Sequence, residues 1–415
     1  MGGNVTAINK TTGEETRAEK IPIKKIGRNE FTTKFIKVFK EINKIFKKEN
    51  GIALWLDEKN LENGLQFNGS TSYIFDQTIS DKEITDVKDS AGDLDIIVPE
   101  GLKTEVWNML DGLEGKTIIP GVKYMGSNKP TVASIGEQIN SVFLVDFDGT
   151  SVPSQVDFEF LPMEKDGSTP TEWAKFSHSS SFEDAKAGVK AVHHKYLIQS
   201  LVGGASIRDD VVIVTKSATI DNYTKKIKKS DGTLPRMLKF SVGRGIGKAY
   251  ELMHDLDGNV LQIDGKDVYR EIKPADRTYE TTVKEIFKLS FGRLEDHPGD
   301  VQKFNSFVGV LELMKKYLNK KQIEATHKRY VEKLWGMRSS TKKVGHDVSV
   351  GQSLERGDPE ADYAVKISGY NRFIKTFGLK PDKKAIDRYY KSFEQKDVAE
   401  SLIRTAIERS NLDEL

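Results

Sequence analysis

From Thr32 to Lys48 the apolar residues Phe35, Ile36, Val38, Phe39, Ile42 and Ile45 recur at the spacing of one helix face, which predicts an amphipathic helix. The residues before it, 1–29, are polar and carry no apolar period, so they are expected to form a flexible arm. Leu94–Val98 is a short β-branched run closed by Pro99 and reads as a strand; Leu102–Leu113 reads as a helix. Ser141–Phe147 and Gln155–Leu161 are apolar-rich and flank a Gly- and Pro-containing stretch, residues 148–154, which predicts a hairpin. A helix over Phe182–Leu201 follows, then strands at Asp210–Thr215, Val260–Ile263 and Val268–Ile272. Beyond Glu280 the period is helical, over Thr282–Leu289, Val301–Leu318 and Gln322–Leu334. After a Gly-, Ser- and Asp-rich stretch near residues 339–360, it resumes over Tyr363–Phe377, Lys383–Phe393 and Val398–Arg409. No internal repeat of solenoid type is present. The pattern predicts an α+β domain over 30–215, a small β-containing segment over 216–280 and a mainly helical C-terminal domain over 281–415.

Composition narrows the function classes. A chain of 415 residues has room for two or three domains. No apolar run approaches the roughly 18 residues of a membrane span, and the N-terminus lacks the layout of a secretion signal. Met1-Gly2-Gly3-Asn4-Val5-Thr6 fits the loose N-myristoylation pattern, which is short enough to arise by chance. The absence of cysteine excludes thiol catalysis, disulfides and cysteine-ligated zinc, and fits a cytoplasmic location. A net charge of only +2 does not mark the whole chain as a polycation. Basic residues do cluster, in Lys225-Lys226-Ile227-Lys228-Lys229 and in Lys315, Lys316, Lys320 and Lys321. Such clusters are either solvated faces or a track for a phosphate backbone.

Three short pieces carry candidate chemistry: Gly69-Ser70, Gly92-Asp93-Leu94-Asp95 and Gln155-Val156-Asp157-Phe158-Glu159. Residues two apart in a strand share a face, so Asp93 and Asp95 project together while Leu94 and Ile96 face the core. Paired carboxylates suit Mg²⁺ or Mn²⁺, which take oxygen ligands and fill their shell with water and substrate phosphates. A third carboxylate on a neighbouring strand is needed near the attacking hydroxyl, and Asp157 and Glu159 share the face that can supply it. A small-residue turn such as Gly69-Ser70 exposes backbone N–H groups and a hydroxyl to phosphate oxygens. Asp157 is favoured over Glu159, because its shorter side chain holds its oxygens with fewer rotatable bonds.

In order and local context these pieces resemble the DNA polymerase β-like nucleotidyltransferase superfamily, and within it nucleotidyltransferases of tailed bacteriophages. The runs Phe67-Asn68-Gly69-Ser70-Thr71-Ser72, Gly92-Asp93-Leu94-Asp95 and Gln155-Val156-Asp157 carry the resemblance, which covers about residues 60–200. Phe176-Ser177-His178-Ser179-Ser180 and the segment Gly188–Lys195 fit it more loosely. The resemblance implies a nucleotidyltransferase-type mixed sheet flanked by helices, with Asp93, Asp95 and Asp157 as metal ligands and catalytic carboxylates. It implies that Gly69 and Ser70 hold an NTP such as ATP, with Lys190 or Lys195 on a following helix meeting its triphosphate. The reaction implied is transfer of a nucleoside monophosphate to a hydroxyl of RNA, a protein or a small molecule, in a host cytoplasm if the origin is a phage. One departure is the length between Ser70 and Asp93: residues 71–92 exceed the family's usual spacing and read as a polar insertion around Asp81–Ser90.

Two other readings compete. Phe143-Leu144-Val145-Asp146-Phe147-Asp148-Gly149-Thr150 resembles the first motif of haloacid dehalogenase-type phosphatases, in which Asp146 would be the nucleophile. A transferase fold that binds nucleotide without turnover is the other. Gly243-Arg244-Gly245-Ile246-Gly247-Lys248 fails the spacing of both common phosphate-binding loops, and His193-His194, adjacent on a helix, make a poor metal pair.

Overall fold

The computed structural model describes residues 5–12, 15–56, 58–62, 66–76, 78–88, 90–128, 138–165, 169–203, 211–214, 236–241, 245–248, 250–263, 265–272, 279–280, 282–291, 298–335 and 359–391. The chain divides into two compact units, residues 1–185 and 186–415. The Lys225–Lys229 cluster and the helix expected over Val398–Arg409 lie outside the described residues.

The first unit is built on a five-stranded mixed sheet. Its strands are β5 (Asp93–Pro99), β6 (Thr117–Ile119), β7 (Val122–Ser127), β8 (Gln138–Phe147) and β9 (Thr150–Leu161). They lie in the order β5-β9-β8-β7-β6, with β5 and β9 parallel and the other pairs antiparallel. Alternation decides the two faces. Leu94, Ile96 and Val98 of β5 and Val156, Phe158 and Phe160 of β9 point into one large core. Helices α1 (Ile36–Asn50) and α3 (Lys103–Leu113) close that core with Val38, Phe39, Ile42, Phe46, Val106 and Leu110. Between them in the chain lies α2 (Asp81–Val87). Helix α1 ends at Gly51, whose φ of 74° supplies the left-handed residue that terminates many helices.

Four expectations are corrected here. Residues 5–22 are not an arm. β1 (Val5–Thr12) and β2 (Glu15–Pro22) form an antiparallel hairpin whose Ile8 and Ile21 pack on Val142 of β8. So small a patch needs few apolar side chains, so the segment's apolar content stays low. The β8–β9 connection is a two-residue turn, not residues 148–154. Asp148 (φ 52°) and Gly149 (φ 82°) both take the left-handed backbone that a tight hairpin requires. The helix expected over Phe182–Leu201 breaks at Gly188 (φ 70°) into Phe182–Lys186 and Ala191–Val202. That break lies close to the junction of the two compact units, residues 1–185 and 186–415. Finally, Val301–Leu318 is two helices, because Ser306 caps the second by accepting from Gly309 N–H at 3.0 Å.

The insertion between Ser70 and Asp93 is folded and fastened at both ends. Ser80 and Glu83 form a capping box at the start of α2. Arg28 donates to the carbonyls of Asp76 (2.6 Å) and Ile79 (2.9 Å) and to the Asp81 carboxylate (2.8 Å). At the far end the short strand β4 (Ser90–Ala91) pairs with β3 (Ile26–Gly27) immediately before β5 begins.

In the second unit, α5 (Ala191–Val202) packs among α6 (Val283–Phe291), α7 (Phe307–Tyr317), α8 (Lys320–Trp335) and α9 (Pro359–Phe377). Between α5 and α6 in the chain comes a four-stranded sheet: Val211–Val214, Arg236–Ser241, Gly245–Lys248 and Tyr279–Glu280. Among the described residues no helix is long and apolar enough to cross a membrane.

Candidate metal centre

The parallel pairing of β5 with β9 fixes the site. Its register sets Asp93 opposite Gln155, Asp95 opposite Asp157 and Ile97 opposite Glu159. Opposed residues in a ladder share a face, so the acids stand together on the side away from the main core. Apolar patches bound this polar stretch at both ends. On one side Val142, which pairs with Gln155, lies under the N-terminal hairpin. On the other, Ile97 and Leu161 pack on Ala174 of α4 (Glu172–His178).

Asp93, Asp95 and Asp157 each bring a carboxylate oxygen within 4.8 Å of the others. Asp157 is only 4% exposed. Gln155 Nε2 donates to both its oxygens, at 2.9 and 3.1 Å. Among the described residues no lysine or arginine pairs with any of the three acids. Burial, then the Asp93 charge, and further the Glu159 and Asp157 charges, raise the proton affinity of Asp95. Burial and the Asp93 charge raise that of Asp157, against the hydrogen bonds from Gln155 and Asn140. Three crowded carboxylate oxygens are a donor set that fits a hard divalent cation such as Mg²⁺ or Mn²⁺.

Glu159 is placed differently. It lies two residues further along β9, and its carboxylate accepts from Asn68 Nδ2 at 2.5 Å. That bond ties β9 to the segment carrying the Gly-Ser turn. The segment is fastened along β5 as well: Asn68 N–H donates to Asp95 O (3.0 Å) and Ile97 N–H to Gln66 O (2.8 Å). Thr71 Oγ1 accepts from Asp95 N–H at 3.0 Å. Lys175 Nζ donates to Phe67 O at 2.6 Å, and burial pushes its amine down to about 8. The loosely matching run Phe176–Ser180 is also at the site through its backbone: Gly69 N–H donates to His178 O, and Ser180 N–H donates to Gly69 O, each at 3.2 Å.

Gly69 is required twice over. Its φ is 53°, and a Cβ there would come within 2.0 Å of Asp95 Oδ2. Gly69→Ala should therefore cost roughly 1–2 kcal/mol of stability from the backbone alone and push Asp95 out of the triad. Thermal melting with a Mn²⁺ titration tests this; wild-type metal affinity in the variant would remove Gly69 from the site. Ser70 heads only a four-residue helical turn, Thr71–Ile74, so the long helix N-terminus that can cradle an anion is not what this turn supplies.

Lys190 and Lys195 lie in the second unit, Lys190 exposed at the N-cap of α5 and Lys195 half-buried along it. Within the first unit the cation beside the turn is Lys88, whose Nζ donates to Ser70 Oγ at 3.0 Å. Nothing in the local sequence marks this lysine, because the insertion reads as a polar spacer. Asp146 is part of the hairpin end: its carboxylate accepts from Gly149 N–H at 2.8 Å.

No family model, curated protein or solved structure matches this chain.

Proposed function

We propose that the chain is a metal-dependent nucleotidyltransferase of the DNA polymerase β-like type. The observation that carries this reading is the meeting of Asp93, Asp95 and Asp157 within 4.8 Å, with Gly69 pressed against Asp95. The acceptor hydroxyl oxygen bonds to the α-phosphorus of an NTP, the bond from that phosphorus to the β-bridging oxygen breaks, and pyrophosphate leaves. Mg²⁺ or Mn²⁺ held by Asp93, Asp95 and Asp157 would supply charge neutralisation on the triphosphate and acidify the attacking hydroxyl. Asp93 and Asp95 hold the nucleotide side of the site. Asp157, across the ladder from Asp95, serves the acceptor hydroxyl and takes up its proton. Gln155 fixes the Asp157 carboxylate, and the Asn68–Glu159 bond fixes the turn. Such chemistry needs mainly positioning and charge neutralisation, which this set of residues supplies.

The test is incubation with each α-labelled NTP and Mg²⁺ or Mn²⁺, against separate pools of RNA, DNA, protein and small metabolites. Label should enter one pool, naming the acceptor class, and should not enter with the Asp95→Ala protein. No labelled pool with any NTP overturns the reading.

The same assay separates the two β9 acids. Asp157→Asn should lose turnover by about 10²-fold or more while keeping nucleotide affinity, because its carboxylate serves the attacking hydroxyl. Glu159→Gln should keep most turnover, since its amide oxygen can still accept from Asn68. A dead Glu159→Gln beside an active Asp157→Asn reverses the two roles.

A further inference from the structure

We propose that Lys88 is a phosphate-binding residue, the cation that meets the polyphosphate tail of the nucleotide at the Gly69-Ser70 turn; the proposal rests on the nucleotidyltransferase reading above. Its ammonium lies 3.0 Å from Ser70 Oγ, one residue from the glycine that packs on Asp95. It sits just past the C-terminus of α2, where the backbone leaves the helix in an extended conformation (φ −168°, ψ 109°). The position is fixed by contacts that do not involve the Lys88 side chain. Arg28 holds residues 76–81, and the β3–β4 pairing holds Ser90 and Ala91. The chain thus carries one lysine of the insertion back to the turn and anchors it on both sides.

The other candidates in the first unit do different work. Lys175 is buried, with its ammonium on the Phe67 carbonyl, and stabilises the segment before the turn. Ser70 alone, on a single helical turn, offers little positive potential. A triphosphate with its α-phosphorus near the three acids and its β- and γ-phosphates along the neighbouring turn would present anionic oxygens there that need a cation. Lys88 and Ser70 together present an ammonium and a hydroxyl 3.0 Å apart, a pair able to donate to one phosphate group. The long spacing between Gly69-Ser70 and Asp93 is then functional: it brings in a charge that the turn lacks.

The experiment is direct binding of ATP, ADP and AMP by the full chain, with Ca²⁺ replacing Mg²⁺ to suppress turnover. Lys88→Ala, Lys88→Arg and the wild type are compared. Losing an ammonium contact to phosphate should weaken ATP binding about ten- to hundredfold. AMP binding should be unchanged, and Lys88→Arg should recover most of the loss. ATP affinity unchanged in Lys88→Ala overturns the assignment of Lys88 alone. Equal losses for ATP and AMP also overturn it, because they show a general structural role. A wild type that binds ATP no better than AMP overturns the nucleotidyltransferase site itself and the Lys88 assignment with it.

Discussion

Asp95→Ala should abolish metal binding and lower turnover by about 10³-fold or more, yet the variant should melt no lower than the wild type when metal is absent. The two halves of this expectation have one cause. Asp95 faces Asp157 across the β5–β9 ladder, with Asp93 beside it and no cation among the described residues to balance them. In the metal-free protein burial and the neighbouring Asp93 charge both oppose the charged forms of Asp95 and Asp157, so these carboxylates are a liability to the fold. With Mn²⁺ at a hundredfold excess over its dissociation constant, the wild type should gain about 2.7 kcal/mol, a rise of roughly 5–10 °C in melting temperature. Asp95→Ala and Asp93→Ala should both lose that rise. Calorimetric melts with and without Mn²⁺, beside the labelled-NTP assay, give the answer. Near-normal turnover in both variants would sink the site.

The second large effect is on acid stability, and it comes from the other unit. His193 and His194 are buried on α5, and their rings point into different surroundings. His193 Nε2–H donates to Val365 O (2.7 Å), which leaves Nδ1 to accept from the Tyr330 hydroxyl (2.5 Å). His194 Nε2–H donates to Phe304 O at 2.8 Å. Both are thereby held neutral, and burial pushes each ring down to about 4. An unfolded histidine titrates near 6.5, so between the two values the unfolded chain binds protons that the folded chain refuses. Stability from this source is complete above about pH 6.5 and falls as the pH drops through the folded value, by about 3 kcal/mol per histidine. Urea unfolding at pH 7, 6 and 5 should show the midpoint falling steeply. The double variant His193→Gln/His194→Gln, although less stable at pH 7, should show a much flatter dependence. A slope equal to the wild type's would mean that the acid sensitivity arises elsewhere.

Where the sequence could be read, it was because one local rule governed the outcome. Asp93 and Asp95 were legible because alternation in a strand leaves no choice of face, and Gln155, Asp157 and Glu159 followed from the same rule. The partnership of Asp95 with Asp157 was not legible, since the register of two strands more than fifty residues apart is set by packing of the whole core. The N-terminal hairpin was missed because two isoleucines suffice for its patch on Val142, too few to leave a period. The resemblance puts a phosphate-side lysine on the helix after β9; Gly188 breaks that helix, and Lys190 and Lys195 belong to the second unit. Lys88 was hidden for the opposite reason. Its place depends on Arg28 reaching the carbonyls of Asp76 and Ile79, and a side-chain-to-backbone contact across some fifty residues leaves no trace in local composition.

The position of β5 in the sheet has a cost that the fold must manage. It is an outermost strand, and its sequence, Asp-Leu-Asp-Ile-Ile-Val, is rich in β-branched residues. A bare outer edge of this kind is a template onto which another chain can add a strand, the first step toward aggregates. Here that edge is occupied by Gln66–Asn68, through the Asn68 and Ile97 amides and the bridge between Phe67 and Ile96. The segment that presents Gly69 and Ser70 is therefore also the guard of the sheet's margin. Loosening it would do more than silence the site: it would expose an adhesive strand, so that function and colloidal behaviour in this protein depend on the same few hydrogen bonds.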